Sequence, residues 1–312
     1  MLAEVLPLRH ASRELVRELG FLQGKDGETG ASHSHCHTLI EIEKRSAVAQ
    51  SELPTLLRLD KSTTSRIVAD LVERGWLKAR ASREDRRARE LSLTPRGRAK
   101  VGRVHRDANA RVEHALTTLA ADERQVVLRG MELYARALER SRRQATYRVR
   151  RVRAGDRAAI ARLIRAVMPE FGAKGPGFAI SDPEVDDMFG AYQERRSAYF
   201  VVTRSDPRGG PEVVVGGGGY APLSGGDDQT CELRKMYFLP EVRGLGIGHK
   251  VLLGCLAGAK RAGFARMYLE TLGAMSQARA LYERNGFRRL QRRLGETGHF
   301  GCNSFYVRHL RK

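Results

Sequence analysis

Apolar positions in the first half of the chain recur at three- and four-residue steps, the period of helices with one buried face. Leu6, Leu15, Val16 and Leu19 predict a helix over 2–20, followed by a polar loop at 24–30 and a second helix over 36–43. Two further helices are expected at 51–60 and 61–75. In the latter, Ile67, Val68, Leu71 and Val72 form the inward stripe, Asp60 or Ser62 caps the start, and Gly75 ends it. The period then shortens to two. Residues 76–80 and 90–93 read as short strands around the charged tip 82–89. Two long helices follow, one with Val101, Val104, Ala108, Val112 and Leu116, the other with Val127, Met131, Tyr134 and Leu138.

Beyond residue 145 strands and helices alternate. Strands are predicted at 147–152, 198–203, 213–220, 231–238, 266–272, 287–290 and 304–309. Helices are predicted at 182–195, 246–262 and 276–285, and around Ile160, Leu163, Ile164 and Val167, with 169–177 a loop. The change of pattern predicts two domains, 1–145 and 146–312, the first mainly α and the second α+β around a central mixed sheet. A length of 312 residues allows each its own core.

Composition adds a partner class. The formal charge of +20 favours polyanions. Residues 61–100 carry twelve Lys and Arg against five Asp and Glu. No apolar run reaches the length of a membrane span and no secretory leader pattern is evident, so no membrane partner and a cytoplasmic location are expected. Cys36, Cys231, Cys255 and Cys302 form no Cys-x-x-Cys pair and are expected as reduced thiols. The run His33-Ser-His-Cys-His37 offers metal-ligand types, but all within five residues and with no second pair nearby; no metal site is expected.

Two groups of residues carry candidate chemistry in the first half. Lys61, Ser62, Thr63, Ser65 and Arg66 fall at the N-terminal end of the 61–75 helix, where short polar side chains and an arginine reach base edges and phosphates. Arg83, Arg86 and Arg87 lie on the hairpin tip, suited to a minor groove or flanking phosphates. Together with Asp85-Arg86 and the exit Thr94-Pro-x-Gly97, residues 35–145 resemble the MarR winged helix-turn-helix regulators. The resemblance implies double-stranded DNA as partner, Asp85 as a strut of the wing, Arg86 or Arg87 as its groove contact, and a homodimer through the long helices.

In the second half, a strand, a proline-stopped turn and a glycine-rich loop run straight into a helix at Cys231-Glu-Leu-Arg-Lys-Met-Tyr-Phe-Leu-Pro-Glu-Val-Arg-Gly-Leu-Gly-Ile-Gly248. Free N–H groups and the positive dipole end at such a helix start cradle phosphate. Arg243, Gly244, Leu245, Gly246, Ile247 and Gly248 form this cradle, which is neither a dinucleotide fingerprint nor a P-loop. Gly216–Gly219 reads instead as close backbone packing.

With the second motif Ala278-Arg-Ala-Leu-Tyr-Glu-Arg-Asn-Gly-Phe287, residues 147–312 resemble the GNAT N-acetyltransferases. The resemblance implies acetyl-CoA as donor, backbone of Met236, Tyr237 and Phe238 at the thioester carbonyl, and Tyr282 as the acid at the sulfur. Glu232 is the candidate base, with desolvation of the amine or a water chain as alternatives. Met275 stands where many members have Asn, and is expected against the coenzyme arm. The acceptor, a small-molecule or amino-acid-like primary amine attacking the thioester directly, is expected among 168–171, 182–187 and 297–302, with Glu170 or an aspartate attracting it. The alternative is a regulator whose GNAT domain senses acetyl-CoA without turnover.

Overall fold

The computed structural model describes residues 2–22, 31–81, 89–205 and 209–310. The chain divides into two compact units, Met1–Leu128 and Arg129–Lys312.

The first unit opens with α1 (Val5–Glu18) and α2 (His33–Arg45), then β1 (Val48–Ala49), α3 (Leu53–Leu57) and α4 (Lys61–Glu73). Next come β2 (Leu77–Ala81), β3 (Arg89–Leu93), α5 (Pro95–Thr117) and the start of α6 (Ala121–Gln144). Its core joins Leu39 and Ile42 of α2, Leu53, Ile67, Val68 and Leu71, Trp76, Leu91 and Val101. Val72, expected inside, is exposed, and Thr64 takes its place. The reason is helical phase: Thr64, Ile67, Val68 and Leu71 share one stripe, which Val72 overshoots. Thr64 also satisfies its hydroxyl by donating to the Asp60 carbonyl at 2.9 Å.

β2 and β3 form an antiparallel hairpin that β1 extends, with Leu77 opposite Leu93 and Val48 opposite Leu91. The exit from it explains the Thr-Pro-x-Gly signature atom by atom. The Thr94 hydroxyl accepts from the Gly97 N–H at 3.0 Å and donates to the Gly75 carbonyl at 2.7 Å. Pro95 begins α5, where no N–H is needed. A Cβ on Gly97 would lie 2.0 Å from the Trp76 carbonyl oxygen.

The second unit holds the rest of α6, then β4 (Tyr147–Arg151), α7 (Arg157–Val167), α8 (Met188–Ala191), β5 (Ala198–Arg204), β6 (Val213–Pro222) and β7 (Thr230–Phe238). It finishes with α9 (Ile247–Arg261), β8 (Arg266–Thr271), α10 (Ser276–Arg284), β9 (Arg288–Leu290) and β10 (Ser304–His309). Among the described residues its sheet runs β4-β5-β6-β7-β8-β10-β9, antiparallel except for β7 and β8. Neighbouring residues feed opposite cores. Val201 and Val214 pack with α7, whereas Val202 and Val215 pack with α9, so the two helices cover opposite faces.

The expected helix over 182–195 is replaced by 3-10 turns at Ala179–Ser181 and Pro183–Asp187 and the four-residue α8. Asp182 and Glu184 are drawn inward to Lys235, and the Asp187 carboxylate restarts the helix by accepting from the Gly190 N–H at 2.8 Å.

The glycine run of β6 is a packing device. A Cβ on Gly216 would meet the Phe238 ring at 2.2 Å, one on Gly217 the Tyr199 hydroxyl at 2.7 Å, and one on Gly219 the Ala198 carbonyl at 2.6 Å.

The contact at Gly97 yields a prediction for the first unit. Gly97→Ala forces β2 and α5 apart and lowers stability by about 1–3 kcal/mol. Fluorescence of Trp76, the one tryptophan, reads it as a lower urea midpoint.

Candidate functional site

β7 and β8 pair only at Thr230 with Arg266, Cys231 with Met267 and Glu232 with Tyr268. Past Glu232 the two parallel strands part, and β7 carries a bulge. Gly217 faces Tyr237 and Gly219 faces Arg234, so Lys235 and Met236 stand together opposite Gly218. Lys235 takes φ of 51°, a left-handed conformation unusual for a side-chain-bearing residue.

Several contacts hold it there. The Tyr199 hydroxyl donates to the Lys235 carbonyl at 3.0 Å. The Lys235 ammonium, fully buried, is clasped by Asp182 and by Glu184 at 2.8 Å. Asp182 also meets His299 Nε2 at 2.8 Å. The His299 contact, followed by Lys235, holds the Asp182 carboxyl below its usual range against the opposing effect of burial.

A cavity of about 50 Å³ lies in the cleft. Its walls include Glu232, Lys235, Met236, Tyr237, Glu270, Met275, Tyr282, His299 and Cys302. Glu232 is buried, and loss of water raises its carboxyl pKa above the ordinary value; Arg234, at ion-pair distance (3.3 Å), opposes this. Burial likewise raises the Tyr282 phenol, whose ring packs on Phe287 and Tyr306. The Cys302 thiol is pushed up to about 12, chiefly by burial. Met275 stands at the N-cap position of α10, its sulfur 3.6 Å from the Thr271 hydroxyl.

The glycine loop lies between β7 and α9. Gly244 and Gly246 adopt φ of 74° and 82°, the region that favours glycine. Gly246 stands at the N-cap position of α9, so the first N–H groups of that helix open onto the loop, the feature a phosphate cradle uses. Gly248 approaches the Phe238 ring, where an added Cβ would sit at 3.3 Å. The Gln144 side-chain amide donates to the Leu245 carbonyl. Arg243 is more constrained than a free phosphate ligand. Its Nε donates to the Phe238 carbonyl at 2.9 Å and its Nη1 pairs with Glu170 at 2.7 Å. Glu170, a sequence candidate for attracting the acceptor, is therefore engaged at the loop.

The structure thus brings Glu232, Met236, Tyr237, Met275 and Tyr282 to one cavity, with the loop Arg243–Gly248 following β7. Sequence reasoning missed Lys235 and Glu270, and placed Glu184 only within the 182–187 stretch. Lys235 and Glu270 are each a charge set in an apolar strand, which is the signal that would have found them.

In the first unit, Asp60 caps α4, accepting from the Thr63 N–H at 2.8 Å and the Ser62 hydroxyl at 2.6 Å. These bonds, the Ser62 one foremost, hold its carboxyl well below the usual range. Lys61, Ser62, Ser65 and Arg66 are exposed on the first turns, and Arg66 donates to the Thr63 hydroxyl at 3.2 Å. Arg83, Asp85, Arg86 and Arg87 lie outside the described residues. The histidine run serves packing: His33 bonds the Gly20 carbonyl at 3.0 Å, and His35 joins Ser32 to Asp70 of α4.

Residues 160–287 match the model of the acetyltransferase (GNAT) family, and residues 29–88 that of the MarR family. Over 163 residues the chain is 42% identical to YjgM of Escherichia coli, an uncharacterized N-acetyltransferase, spanning 52% of this chain and 94% of that one. It is 29% identical over 99 residues to PapX of Escherichia coli, an HTH-type transcriptional regulator, spanning 31% of this chain and 60% of that one. A solved GNAT-family acetyltransferase from Staphylococcus aureus is 21% identical, with a TM-score of 0.44, covering 53% of this chain and 99% of that one.

Proposed function

Because the chain belongs to the GNAT acetyltransferase family and carries a MarR-family winged helix-turn-helix ahead of that domain, we propose that it couples two activities in one polypeptide. One is sequence-specific binding of double-stranded DNA. The other is acetyl transfer from acetyl-CoA to a small-molecule primary amine by direct attack on the thioester. The functional boundary lies at the end of α6, near residue 145.

One observation carries the transfer reading: Glu232 and Tyr282 line the same cavity, in the cleft opened by the parting of β7 and β8. Acetyl-CoA supplies an activated acyl carbon when bound. The N–H groups of Gly244–Gly248 receive its phosphates, Met236 and Met275 flank its arm, and backbone N–H groups from Met236 to Phe238 face the carbonyl. Glu232 takes a proton from the acceptor's ammonium, which at an ordinary pKa of about 10.4 must be neutralised before it attacks. Tyr282 gives a proton to the departing sulfur.

On the DNA side, Lys61, Ser62, Thr63, Ser65 and Arg66 enter the major groove, and Arg83, Arg86 and Arg87 contact the flanking backbone or minor groove. A homodimer presents two such helices to a pseudo-palindrome. Its support is apolar surface: α1 and α6 bury no residue, and Leu6, Val16, Val127, Met131 and Leu138 are exposed. Among the described residues no helix is long and apolar enough to cross a membrane.

Three outcomes follow from these assignments. Glu232 works only when ionised, and its pKa is raised. kcat/KM therefore falls on acidification at a pH above the ordinary carboxylate value of about 4.3. Glu232→Gln removes that limb from the pH–rate profile and lowers the rate by about a hundredfold or more. Tyr282→Phe slows turnover at saturating acetyl-CoA by about a hundredfold while calorimetry finds coenzyme affinity unchanged; undiminished turnover would remove it as the acid. Arg66→Ala weakens binding to duplexes selected from random sequence by about 1–3 kcal/mol, measured by titration, and relaxes the preference at one base pair.

A further inference from the structure

Of the four carboxylates around the cleft, three already face cations. Asp182 and Glu184 hold the Lys235 ammonium, Glu184 also meets Arg234 at 3.0 Å, and Glu232 lies 3.3 Å from the same guanidinium. Glu270 is different. It stands on β8 two residues beyond Tyr268, the partner of Glu232, and so projects from the same face of the sheet as Glu232. Its Oε1 accepts from the Tyr268 hydroxyl at 2.8 Å and from the Thr297 hydroxyl at 3.0 Å. Those two donors fix the carboxylate plane. Its Oε2 is buried and has no hydrogen-bond partner among the described residues, and Glu270 lines the cavity.

A buried carboxylate oxygen without a donor is costly unless a ligand completes it. A molecule entering the cavity can supply the donor it lacks. The same walls hold two cations, Arg234 and Lys235, and carboxylates already oppose both, so neither stands ready for a carboxylate on the incoming molecule.

Resting on the acetyl-transfer reading, we infer that Glu270 anchors the acceptor's ammonium through Oε2, and that the acceptor is a cationic amine with no carboxylate on the carbon bearing nitrogen. Glu270 positions the nitrogen from one strand while Glu232, facing it from the other, removes the proton. The cleft thus divides binding and proton transfer between two carboxylates, and it selects amines over the corresponding α-amino acids by charge.

The test uses the full chain and three pairs of probes that differ only in the α-carboxylate: butylamine and norvaline, phenethylamine and phenylalanine, 1,4-diaminobutane and ornithine. The amine of at least one pair is acetylated with kcat/KM about tenfold or more above its acid. Glu270→Gln raises the KM for that amine by about tenfold or more, leaves kcat within about threefold, and leaves the KM for acetyl-CoA unchanged. Glu270→Asp recovers part of the loss. Acids used as well as amines, or an unchanged amine KM in Glu270→Gln, overturn the inference. Should the wild type bind acetyl-CoA yet acetylate none of the six, the transfer reading fails by itself. Glu270 is then judged by calorimetric binding of the amines to coenzyme A-saturated protein: binding lost in Glu270→Gln sustains the anchor, and equal or absent binding overturns it.

Discussion

The buried ammonium of Lys235 is the contact on which the catalytic half turns. A lysine side chain shielded from water is tolerated only where opposing charge replaces its hydration. Asp182 and Glu184 provide that charge from the turns ahead of α8. The arrangement has two structural effects. It pins the bulge of β7 beside which Met236 and Tyr237 line the cavity, and it holds residues 179–191 in short turns packed toward β7. Removing either carboxylate would leave the lysine undercompensated at the point where β7 leaves β8.

The bulge also explains how one sheet is both a closed wall and an open cleft. While β7 and β8 remain paired, through Glu232, the sheet is a closed wall. Beyond that residue the cleft exposes backbone on one side and carries carboxylates on both. The glycine loop then follows within a few residues, so the loop and the cavity are set by consecutive parts of one strand and its exit. Long-range geometry is thereby reduced to local chain connectivity.

Much of this was legible in the sequence, because the relevant signals are local. Alternating and helical periods gave most elements, and the glycine spacing gave the loop. Thr94-Pro-x-Gly97 marked a turn whose cap and close approach the structure displays in full. What escaped depended on distant partners. No period in residues 182–195 reveals that Asp182 and Glu184 are drawn to a lysine more than fifty residues on, so the sequence predicts a helix there. Glu170 reads as a free carboxylate in the sequence, and only the fold pairs it with Arg243. Val72 failed for a smaller reason: it lay one step beyond the stripe that α4 turns inward.

The four glycines of β6 carry a consequence for how the catalytic half comes into being. A glycine strand has little preference for extended backbone and loses more conformational freedom on ordering than any other. β6 therefore has slight cause to form alone; its order is borrowed from the Tyr199, Phe238 and Met236 side chains that close over it. Those side chains belong to β5 and β7, and β7 is one of the two strands that frame the cleft. The centre of the sheet and the chemistry beside it should consequently assemble in a single cooperative event, with no intermediate in which the sheet is complete and the site is not.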